Sequence, residues 1–507
     1  MSCSEQSKDA RQTDAAASLG APDDGRPEAA SGADRNIRFG TDGWRAVIAD
    51  DFTFDNIRRL AQATADYCRK DLVAGRPPKV CVGYDTRFMS DKFARVAARV
   101  LAANDIEVTV SDRAVPTPAL SFAVRHRGLD LGIMITASHN PPEFNGYKIK
   151  NNKGGAADEK VTQRVEALID ATPARSLSLT EAVRKGTACV ENIAKDYVKF
   201  LRSYIDAAAF KKARFRVLMD VMHGSGDHYI ADVLKGSGIR LELMRAEANP
   251  NFDGRGPEPV EQNVQGIISR MKTGRYDIGL ILDGDADRIA AVSSDGEYIP
   301  PQKILGLLAL HLHQDRKWSG GIVTTIAGTT MLEHIARDLG VKLYETPVGF
   351  KYISHLMETQ GILVGGEEAG GMGLKNYIPE RDGTLAGLML VEMMALRKKK
   401  IGRILADMEK RYGRYHYLRS DLKLKSKNYT LDQQKLREAT LLGRKVVTVK
   451  DYDGLKLICD DESWLMFRVS GTEPKMRIYA EAKSLKKAKD LIRAGNALVE
   501  REIQYAR

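Results

Sequence analysis

The sequence contains no closely spaced pair of cysteines and few aromatic residues. Its five cysteines are scattered, at Cys3, Cys68, Cys81, Cys189 and Cys459. This spacing fits neither a disulfide framework nor a zinc site, so we expect a reducing, cytoplasmic location. Aromatic residues make up 7% of the chain, and the net charge of +11 is spread over 507 residues. We expect no nucleic-acid partner, since an anionic small molecule explains the charge as well.

Long apolar runs are also missing. The longest, at 306–312 and 385–396, fall short of the roughly 18 residues that a membrane span needs, so we expect no membrane partner. Residues 1–35 are rich in Ala, Ser, Asp and Gly and poor in large apolar side chains, which predicts a disordered tail. We expect neither a secretory signal nor an organellar transit peptide in this segment.

Strand-like and helix-like segments alternate through most of the chain. Apolar residues recur with helical spacing over 57–68 and over 93–101, with Ser90 as a candidate N-cap of the second helix. The apolar run "KVCVGYD" lies between them, and this alternation predicts α/β layers with mostly parallel sheets. Beyond residue 414, two strand-like runs around an Asp453-Gly454 turn and a closing helix predict a separate α+β domain.

Three apolar strands end in loops that are rich in functional side chains. Ser138 follows "LGIMIT", the loop "DGDADR" follows "IGLIL", and Glu367 lies in "GGEEAGG". In open α/β sheets ligands bind beyond the carboxyl ends of the strands, so these loops are the expected site. Pro141 and Pro142 stiffen the serine loop, which is either a simple turn or a nucleophile held on a rigid strand end.

The "DGDADR" loop carries aspartates at alternate positions, Asp283, Asp285 and Asp287. An extended backbone would turn the three carboxylates to one point. Hard divalent cations such as Mg²⁺ prefer oxygen ligands, so we predict a magnesium site. A calcium-type or merely solvated acidic turn is the alternative, although no glutamate stands at the twelfth position that an EF-hand requires.

Two basic segments are candidate anion sites. The segment "RVSGTEPKMR" combines cationic side chains, hydroxyls and a glycine that lets backbone amides approach a phosphate. Its candidate residues are Arg468, Ser470, Gly471, Thr472, Lys475 and Arg477. A strand-ending turn with charged neighbours is the alternative. In "RFGTDGWRA", Arg38 and Arg45 flank a glycine-rich turn, and a plain surface position would explain either arginine.

Taken together, the segments "FGTDGWR", "TASHNPPEFNGYK", "DGDADR", "GGEEAGG" and "RVSGTEPKMR" resemble the signature loops of the α-D-phosphohexomutase superfamily, over residues 36–500. The pattern is most similar to the phosphoglucomutase/phosphomannomutase group. The resemblance implies an α/β architecture of four domains around a central cleft, three similar α/β domains with mixed sheets and a C-terminal α+β domain. The expected ranges are 36–188, 189–298, 299–411 and 412–507.

The resemblance implies catalytic roles near the serine loop. Ser138 would carry a phosphoryl group and would share Mg²⁺ with Asp283, Asp285 and Asp287. Lys148 would transfer a proton, Arg45 would lie near the reacting phosphate, and His139 is placed in the same catalytic group. To accept a proton Lys148 must be partly neutral, a state that burial beside other cations would favour.

The resemblance implies binding roles for the other loops. The implied substrate-binding residues are Arg288, Lys351, Glu367, Ala369 and Arg381. The residues implied to hold the phosphate that does not react are Arg468, Ser470, Gly471, Thr472 and Arg477. Two departures affect the sugar contacts, since many relatives have serine in place of Ala369 and some have histidine in place of Gly371.

The implied activity is the reversible conversion of glucose 1-phosphate and glucose 6-phosphate through a phosphoserine enzyme. Glucose 1,6-bisphosphate would be the intermediate and activator, and the enzyme would be a monomer or homodimer. The alternatives are phosphomannomutase activity or dual specificity. Phosphoglucosamine conversion is less expected because a "GEQSGH"-type loop is absent. A non-catalytic phosphosugar-binding regulator is a remote alternative, against which the intact serine and three aspartates argue.

Overall fold

Four β-sheets follow one another along the chain, in agreement with the predicted fold class. A computed structural model describes residues 37–226, 228–424, 440–469 and 475–505. The predicted tail, 1–35, lies outside these residues, and the expected domain ranges stay predictions. Among the described residues, no helix combines the length and the apolar character required to cross a bilayer.

The first three sheets contain fifteen strands. The first sheet comprises β1 (Trp44–Val47), β2 (Lys79–Tyr84), β3 (Glu107–Ser111), β4 (Leu131–Ile135), β5 (Phe144–Lys150) and β6 (Ala188–Glu191). The second comprises β7 (Arg216–Asp220), β8 (Arg240–Met244), β9 (Ile278–Leu282), β10 (Ile289–Ser293) and β11 (Tyr298–Ile299). The third comprises β12 (Gly321–Thr325), β13 (Leu343–Thr346), β14 (Ile362–Gly366) and β15 (Met372–Leu374).

The remaining elements are the fourth sheet and the helices. The fourth sheet comprises β16 (His416–Lys423), β17 (Thr440–Leu441), β18 (Arg444–Lys450), β19 (Leu455–Cys459), β20 (Trp464–Val469) and β21 (Lys475–Ala482). The α-helices described are α1 (Phe54–Tyr67), α2 (Ser90–Ala102), α3 (Thr117–His126), α4 (Glu159–Ala167), α5 (Leu179–Arg184), α6 (Lys195–Tyr204), α7 (Ala207–Lys212), α8 (Tyr229–Leu234), α9 (Gln265–Met271), α10 (Pro301–Leu310), α11 (Met331–Leu339), α12 (Phe350–Thr359), α13 (Gly383–Arg397), α14 (Ile401–Tyr412) and α15 (Leu485–Tyr505).

The first three sheets share one arrangement of four strands. Their orders are β1-β5-β4-β2-β3-β6, β11-β10-β9-β7-β8 and β13-β12-β14-β15. In each sheet a central strand (β2, β7 or β12) lies between two parallel neighbours, and the second of these neighbours pairs with an antiparallel strand. The sequence shows no strong repeat, so the three sheets share their strand order and strand directions but not their residues.

The hairpins β4–β5, β9–β10 and β14–β15 place the three predicted loops at equivalent ends of their sheets. Leu282 pairs with Ile289 across the second hairpin, and Gly366 pairs with Met372 across the third. All residues of β4, β9 and β14 are buried, which explains their continuous apolar runs. The polar side chains therefore begin where each buried strand ends.

The fourth sheet is antiparallel, in the order β16-β21-β20-β19-β18-β17. Alternate residues of a strand face opposite sides of a sheet, and β20 shows this division. Leu465 and Phe467 pack in the core that includes residues of α15. Trp464 and Met466 pack instead with Ile326 beside the third sheet. The C-terminal sheet is thus joined to the third by an apolar interface.

The helical periodicity predicted at 57–68 is confirmed by α1, whose N-cap Thr53 accepts a hydrogen bond from the amide of Asn56 at 3.2 Å. The predicted cap of the next helix was wrong. Ser90 is the first residue of α2, and the N-cap is Met89. The Ser90 hydroxyl donates to Asp85 Oδ1 at 2.8 Å, so it is engaged with a buried carboxylate instead of the helix end.

Candidate functional site

The serine loop connects β4 to β5 and directs a hydroxyl towards the loop after β9. Ser138 is 1% exposed, and its φ of +53° lies in the left-handed region that few non-glycine residues adopt. Its Oγ donates a hydrogen bond to Asp283 Oδ2 at 2.9 Å. Its amide donates to Thr136 Oγ1 at 2.8 Å. The loop is more than a simple turn, because it holds a buried hydroxyl against a distant carboxylate.

The three aspartates converge as the spacing predicted. Asp283, Asp285 and Asp287 are fully buried, and their candidate ligand oxygens lie within 4.8 Å of one another. The predicted extended backbone was wrong, since the segment is a turn in which Ala286 has a φ of +56°. The three carboxylates converge because the backbone turns between them.

The aspartate cluster has the donor set that a divalent cation requires. Oδ1 of Asp285 and Oδ1 of Asp287 are buried and accept no hydrogen bond from the described part of the chain. Burial, together with the charges of Asp287 and Asp285, raises the pKa of Asp283 well above its ordinary value. Buried carboxylate oxygens that lack a donor fit a hard cation such as Mg²⁺, so the cluster could bind a metal.

Lys148, on β5, lies among three carboxylates, two of which it shares with the cation Arg381. Its Nζ donates to Asp285 Oδ2 at 2.9 Å and lies 2.9 Å from Asp42 Oδ2 and 3.3 Å from Asp287 Oδ2. Burial opposes the charge of this lysine, but the three carboxylates outweigh that effect and raise its pKa. The expectation of a partly neutral Lys148 is therefore wrong for this arrangement.

His139 lies beside the Ser138 hydroxyl, and Arg45 binds the same loop at Asn140. His139 Nδ1 is 3.3 Å from Ser138 Oγ. Burial, followed by the charges of Arg288 and Arg45, lowers the pKa of His139 well below its ordinary value, so the imidazole is neutral at pH 7. Arg45 donates to Asn140 Oδ1 at 2.7 Å. Arg38, the other arginine of that segment, pairs with a glutamate at the surface and lies outside the cluster.

Arg381 connects three parts of the site. Its Nη2 lies 2.7 Å from Asp42 Oδ2 and 2.8 Å from Asp287 Oδ2, and its Nη1 donates to Glu367 Oε2 at 3.2 Å. Burial raises the pKa of Glu367 to about 7, although Arg381 opposes the shift. Arg288 donates its amide to Asp283 Oδ1 at 3.1 Å. These contacts bring the loop after β14 to the aspartate cluster.

Two implied substrate-binding residues lie apart from this network. Lys351, on α12, donates to Glu159 Oε2 at 3.0 Å, and among the described residues it forms no hydrogen bond with the three aspartates. Ala369 lies partly buried in the turn after Glu367. Lys351 therefore connects α12 to α4 in this structure, while Ala369 stays in the loop that carries Glu367.

The fourth sheet places two of the predicted arginines opposite each other. Arg468 on β20 is opposite Arg477 on β21 in the strand register. Nε of Arg468 donates to the Asp453 carboxylate, 2.9 Å from Oδ1 and 3.0 Å from Oδ2. Nε of Arg477 is buried and has no hydrogen-bond acceptor among the described residues. The other three predicted phosphate-binding residues lie outside the described residues: Ser470, Gly471 and Thr472.

Two residues of the network were missed from the sequence. Asp42 contacts Lys148 and Arg381, and it belongs to the quoted "RFGTDGWRA" segment, where only the arginines were considered. Thr117, at the start of α3, donates its hydroxyl to Asp285 Oδ2 at 2.6 Å and its amide to Asp285 O at 2.9 Å. The position of Asp42 in a glycine-rich turn was a usable signal, whereas nothing in the local sequence marks Thr117.

Comparison with known families gives three consecutive matches. The descriptions "Phosphoglucomutase/phosphomannomutase, alpha/beta/alpha domain" I, II and III match residues 36–176, 195–296 and 300–412. These segments contain the strands of the first three sheets except β6 and β11, together with the serine loop, the aspartate loop and Glu367.

Individual relatives agree with these matches. The chain is 31% identical to "Phosphoglucomutase/phosphomannomutase" of Thermococcus kodakarensis, covering 92% of this chain and 99% of the relative. It is 28% identical to "Probable phosphoglucosamine mutase" of Methanosphaera stadtmanae, covering 88% and 94%. A crystal structure of a putative phosphomannomutase from Thermus thermophilus is 33% identical, with a TM-score of 0.81 and coverage of 92% and 99%.

Proposed function

The chain belongs to the phosphoglucomutase/phosphomannomutase family of α-D-phosphohexomutases, and we propose that it interconverts glucose 1-phosphate and glucose 6-phosphate. The named relatives are mutases. The observation that carries the proposal is the 2.9 Å contact between the Ser138 hydroxyl and Asp283 within a buried carboxylate cluster. That contact places a phosphorylatable oxygen beside candidate cation ligands.

The proposed reaction transfers a phosphoryl group from phospho-Ser138 to the 6-hydroxyl of glucose 1-phosphate. The P–O6 bond forms as the P–Oγ bond of Ser138 breaks, and the proton of the 6-hydroxyl ends on Oγ. The product, glucose 1,6-bisphosphate, reorients, and its 1-phosphoryl group then returns to Ser138 with the opposite proton movement. The transition state is loose, so the protein acts mainly by positioning and by stabilising charge.

Each charged residue of the cluster has a proposed part in this transfer. Asp283, Asp285 and Asp287 would hold Mg²⁺, which when bound neutralises charge on the phosphoryl oxygens. Lys148 and Arg45 supply positive charge beside the transferred group. His139, neutral and 3.3 Å from Oγ, can form a hydrogen bond with the Ser138 hydroxyl, but its lowered pKa makes it a weak base.

Binding of the sugar and of the second phosphate is assigned to the other loops. Glu367 accepts hydroxyls of the sugar, and Arg468 and Arg477 hold the phosphate that does not react. Charge-assisted hydrogen bonds contribute about 1.5–3 kcal/mol each, so a bisphosphate can be retained while it reorients. A second phosphate clamp distinguishes a mutase from a simple phosphatase, which has no need of one.

The test compares kcat/KM for glucose, mannose and glucosamine 1-phosphates, with Mg²⁺ and the bisphosphate activator supplied. Glucose 1-phosphate is expected to be the best substrate. Mannose differs only at C2, so dual specificity is the second candidate, favoured by the relative whose name includes both activities. A preference for glucosamine 1-phosphate would contradict the proposal.

The Ser138→Ala variant tests the role of the hydroxyl. It should abolish turnover while the protein stays folded. Ser121→Ala is the matched control, because Ser121 is a buried serine on α3 whose hydroxyl has no hydrogen-bond partner in the described residues. Turnover by Ser138→Ala comparable with that of Ser121→Ala would exclude Ser138 as the phosphoryl carrier. Sugar phosphate binding without turnover by the unaltered protein would indicate a non-catalytic regulator.

A further inference from the structure

A buried arginine holds the serine loop from the side opposite the aspartates. Arg87 lies between β2 and α2, and its side chain has no exposed surface. Its Nη1 donates to the carbonyls of Pro141 at 2.8 Å and Phe144 at 3.0 Å. Its Nη2 donates to the carbonyls of Ser138 and Asn140, each at 2.6 Å. One guanidinium therefore binds four carbonyl oxygens of a single loop.

The carboxylate of Asp85 completes this arrangement. Its Oδ2 lies 3.3 Å from Nε of Arg87, and its Oδ1 accepts the amide of Arg87 at 3.0 Å. Asp85 Oδ2 also accepts the hydroxyl of Thr136 at 2.5 Å, and Thr136 Oγ1 accepts the amide of Ser138. The peptide groups on both sides of the Ser138 Cα are thus held, one through Arg87 and the other through Asp85 and Thr136.

The guanidinium is buried, and its two Nη groups are occupied by the loop. These groups donate to four carbonyl oxygens, while Nε lies 3.3 Å from the Asp85 carboxylate without forming a hydrogen bond in the described part of the chain. The Phe252 ring, from the loop after β8, lies 5.0 Å from its Cζ and restricts it further. Arg87 therefore acts on the loop and not on a substrate phosphate.

We propose that Arg87 is a positioning residue, which keeps Ser138 in the left-handed conformation that directs its Oγ towards Asp283. A non-glycine residue with this backbone conformation persists only where its surroundings fix it, and Arg87 is the group that fixes it here. The inference rests on the proposed function, because it makes Arg87 necessary for phosphoryl transfer through Ser138. It adds a requirement for a residue that touches no reacting atom.

Arg87→Lys is the main test, since a lysine keeps the charge but cannot span four carbonyls with a planar fork. A displacement of the reacting oxygen by one ångström can reduce the rate by about 100-fold, so kcat should fall by roughly 10- to 100-fold. KM for glucose 1-phosphate should stay within about twofold, because the Arg87 side chain has no exposed surface with which to bind the substrate. Guanidinium ions, added to Arg87→Ala below their denaturing concentration, should restore part of kcat.

Arg316→Lys is the matched control. Arg316 also binds a buried carboxylate through two nitrogens, Nε and Nη2 to Glu392, but it contacts α6 and α13 and not the serine loop. Its kcat per folded molecule should equal that of the unaltered protein. Both variants are also warmed until part of each unfolds, so that activity can be compared with the folded fraction. If Arg87→Lys loses activity only in proportion to its unfolded fraction, Arg87 has a purely structural role and the proposal is overturned.

Hydrogen exchange separates this inference from the proposed function. Amides of residues 138–146 should exchange faster in Arg87→Lys than in the unaltered protein, without substrate, and Arg316→Lys should leave them unchanged. Unchanged exchange in Arg87→Lys would overturn the inference. If the unaltered protein interconverts none of the sugar phosphates while this exchange still responds, the proposed function fails and the hold of Arg87 on the loop stands.

Discussion

Individual side chains of the site take their protonation states from neighbours that are distant in the sequence. Lys148 stays charged because carboxylates surround it, although its burial alone would favour the neutral form. His139 stays neutral because burial and nearby arginines disfavour its charge. At neutral pH a neutral imidazole therefore lies beside the Ser138 hydroxyl, and a charged lysine lies among the carboxylates of Asp42, Asp285 and Asp287.

The raised pKa of Glu367 leads to a prediction for substrate binding. In the proposed function its ionised carboxylate accepts hydrogen bonds from the sugar hydroxyls, and with a pKa of about 7 the ionised fraction rises as the pH increases from 6 to 8. KM for glucose 1-phosphate should fall by up to about tenfold over that range, measured by steady-state kinetics. Glu367→Gln should show a higher KM. Its KM should vary with pH only as far as the substrate phosphate itself titrates. The same pH dependence in both proteins would refute this role.

At the scale of elements, the serine and aspartate loops meet through their backbones. A Cβ added to Gly284 would lie 2.7 Å from the carbonyl oxygen of Ser138 and 2.8 Å from the Pro257 side chain. Neither neighbour can move without displacing the loop that carries it. Gly284 therefore sets how closely the hydroxyl approaches the aspartates.

Gly284→Ala should separate the two loops. We expect kcat to fall by about 100-fold, because misplacement by an ångström is costly in rate, and the free energy of unfolding to fall by about 1–3 kcal/mol. Gly266→Ala, in α9, is the control, since its added Cβ would meet only Met244 at an ordinary 3.6 Å. Assays and urea unfolding of both variants check this, and equal activity of the two would show that the close approach is unimportant.

The end of α10 is joined to α13 through a buried histidine. Nδ1 of His311 lies 2.9 Å from Asp315 Oδ2, and its Nε2 lies 3.0 Å from Glu392 Oε1. Burial lowers the pKa of His311, but the hydrogen bonds to Asp315 and Glu392 outweigh burial and raise it. The folded protein therefore favours the charged imidazole.

This shift predicts a pH dependence of stability. Because the pKa is higher in the folded state, the stabilisation is fully present below about pH 6.5 and is lost as the pH rises through the folded-state pKa. The free energy of unfolding, from urea titrations, should fall more between pH 6 and 8 in the unaltered protein than in His311→Asn. His311→Asn should itself cost about 1.5–3 kcal/mol at pH 6, because it removes charged hydrogen bonds while Arg316 and Arg397 still bind the two carboxylates. Parallel pH profiles would contradict the prediction.

At the scale of the whole molecule, the fourth sheet rests on the third through a small apolar interface. Trp464 is fully buried against Ile326 and Ala327. Nζ of Lys456, which lies 4.0 Å from the centre of the Trp464 ring, donates to Ile326 O at 2.8 Å. The position of Arg468 and Arg477 relative to the other loops depends on this contact.

Trp464→Ala should loosen the fourth sheet from the third. The loss of a buried tryptophan costs about 3–5 kcal/mol, and KM for glucose 1-phosphate should rise more than kcat falls, because the proposed phosphate clamp is displaced. Trp318→Ala is the control, since Trp318 is only partly buried and packs on Tyr204 instead. Thermal unfolding and steady-state kinetics of both variants check this. An unchanged KM in Trp464→Ala would show that phosphate binding by Arg468 and Arg477 does not depend on this interface.

Much of the architecture could be predicted because its signals are local. Continuous apolar runs mark β4, β9 and β14 as buried strands, and polar residues directly after them mark the site loops. The convergence of the three aspartates was also predictable, since they lie within five residues of one another. The equivalence of the first three sheets was predicted only through the family resemblance and not from an internal repeat, because a shared topology needs only shared burial and not shared residues.

The sequence by itself determined which segments are strands, which loops carry the chemistry and where a cation could bind, because these properties depend on neighbouring residues. Tertiary structure alone decided that Arg45 and not Arg38 faces the site, that Lys148 is charged, and that Arg87 holds the serine loop. A side chain's charge and hydrogen-bond partners depend on what lies within a few ångströms of it. For Ser138 and Asp283 those neighbours are 145 positions apart, so only folding brings them together.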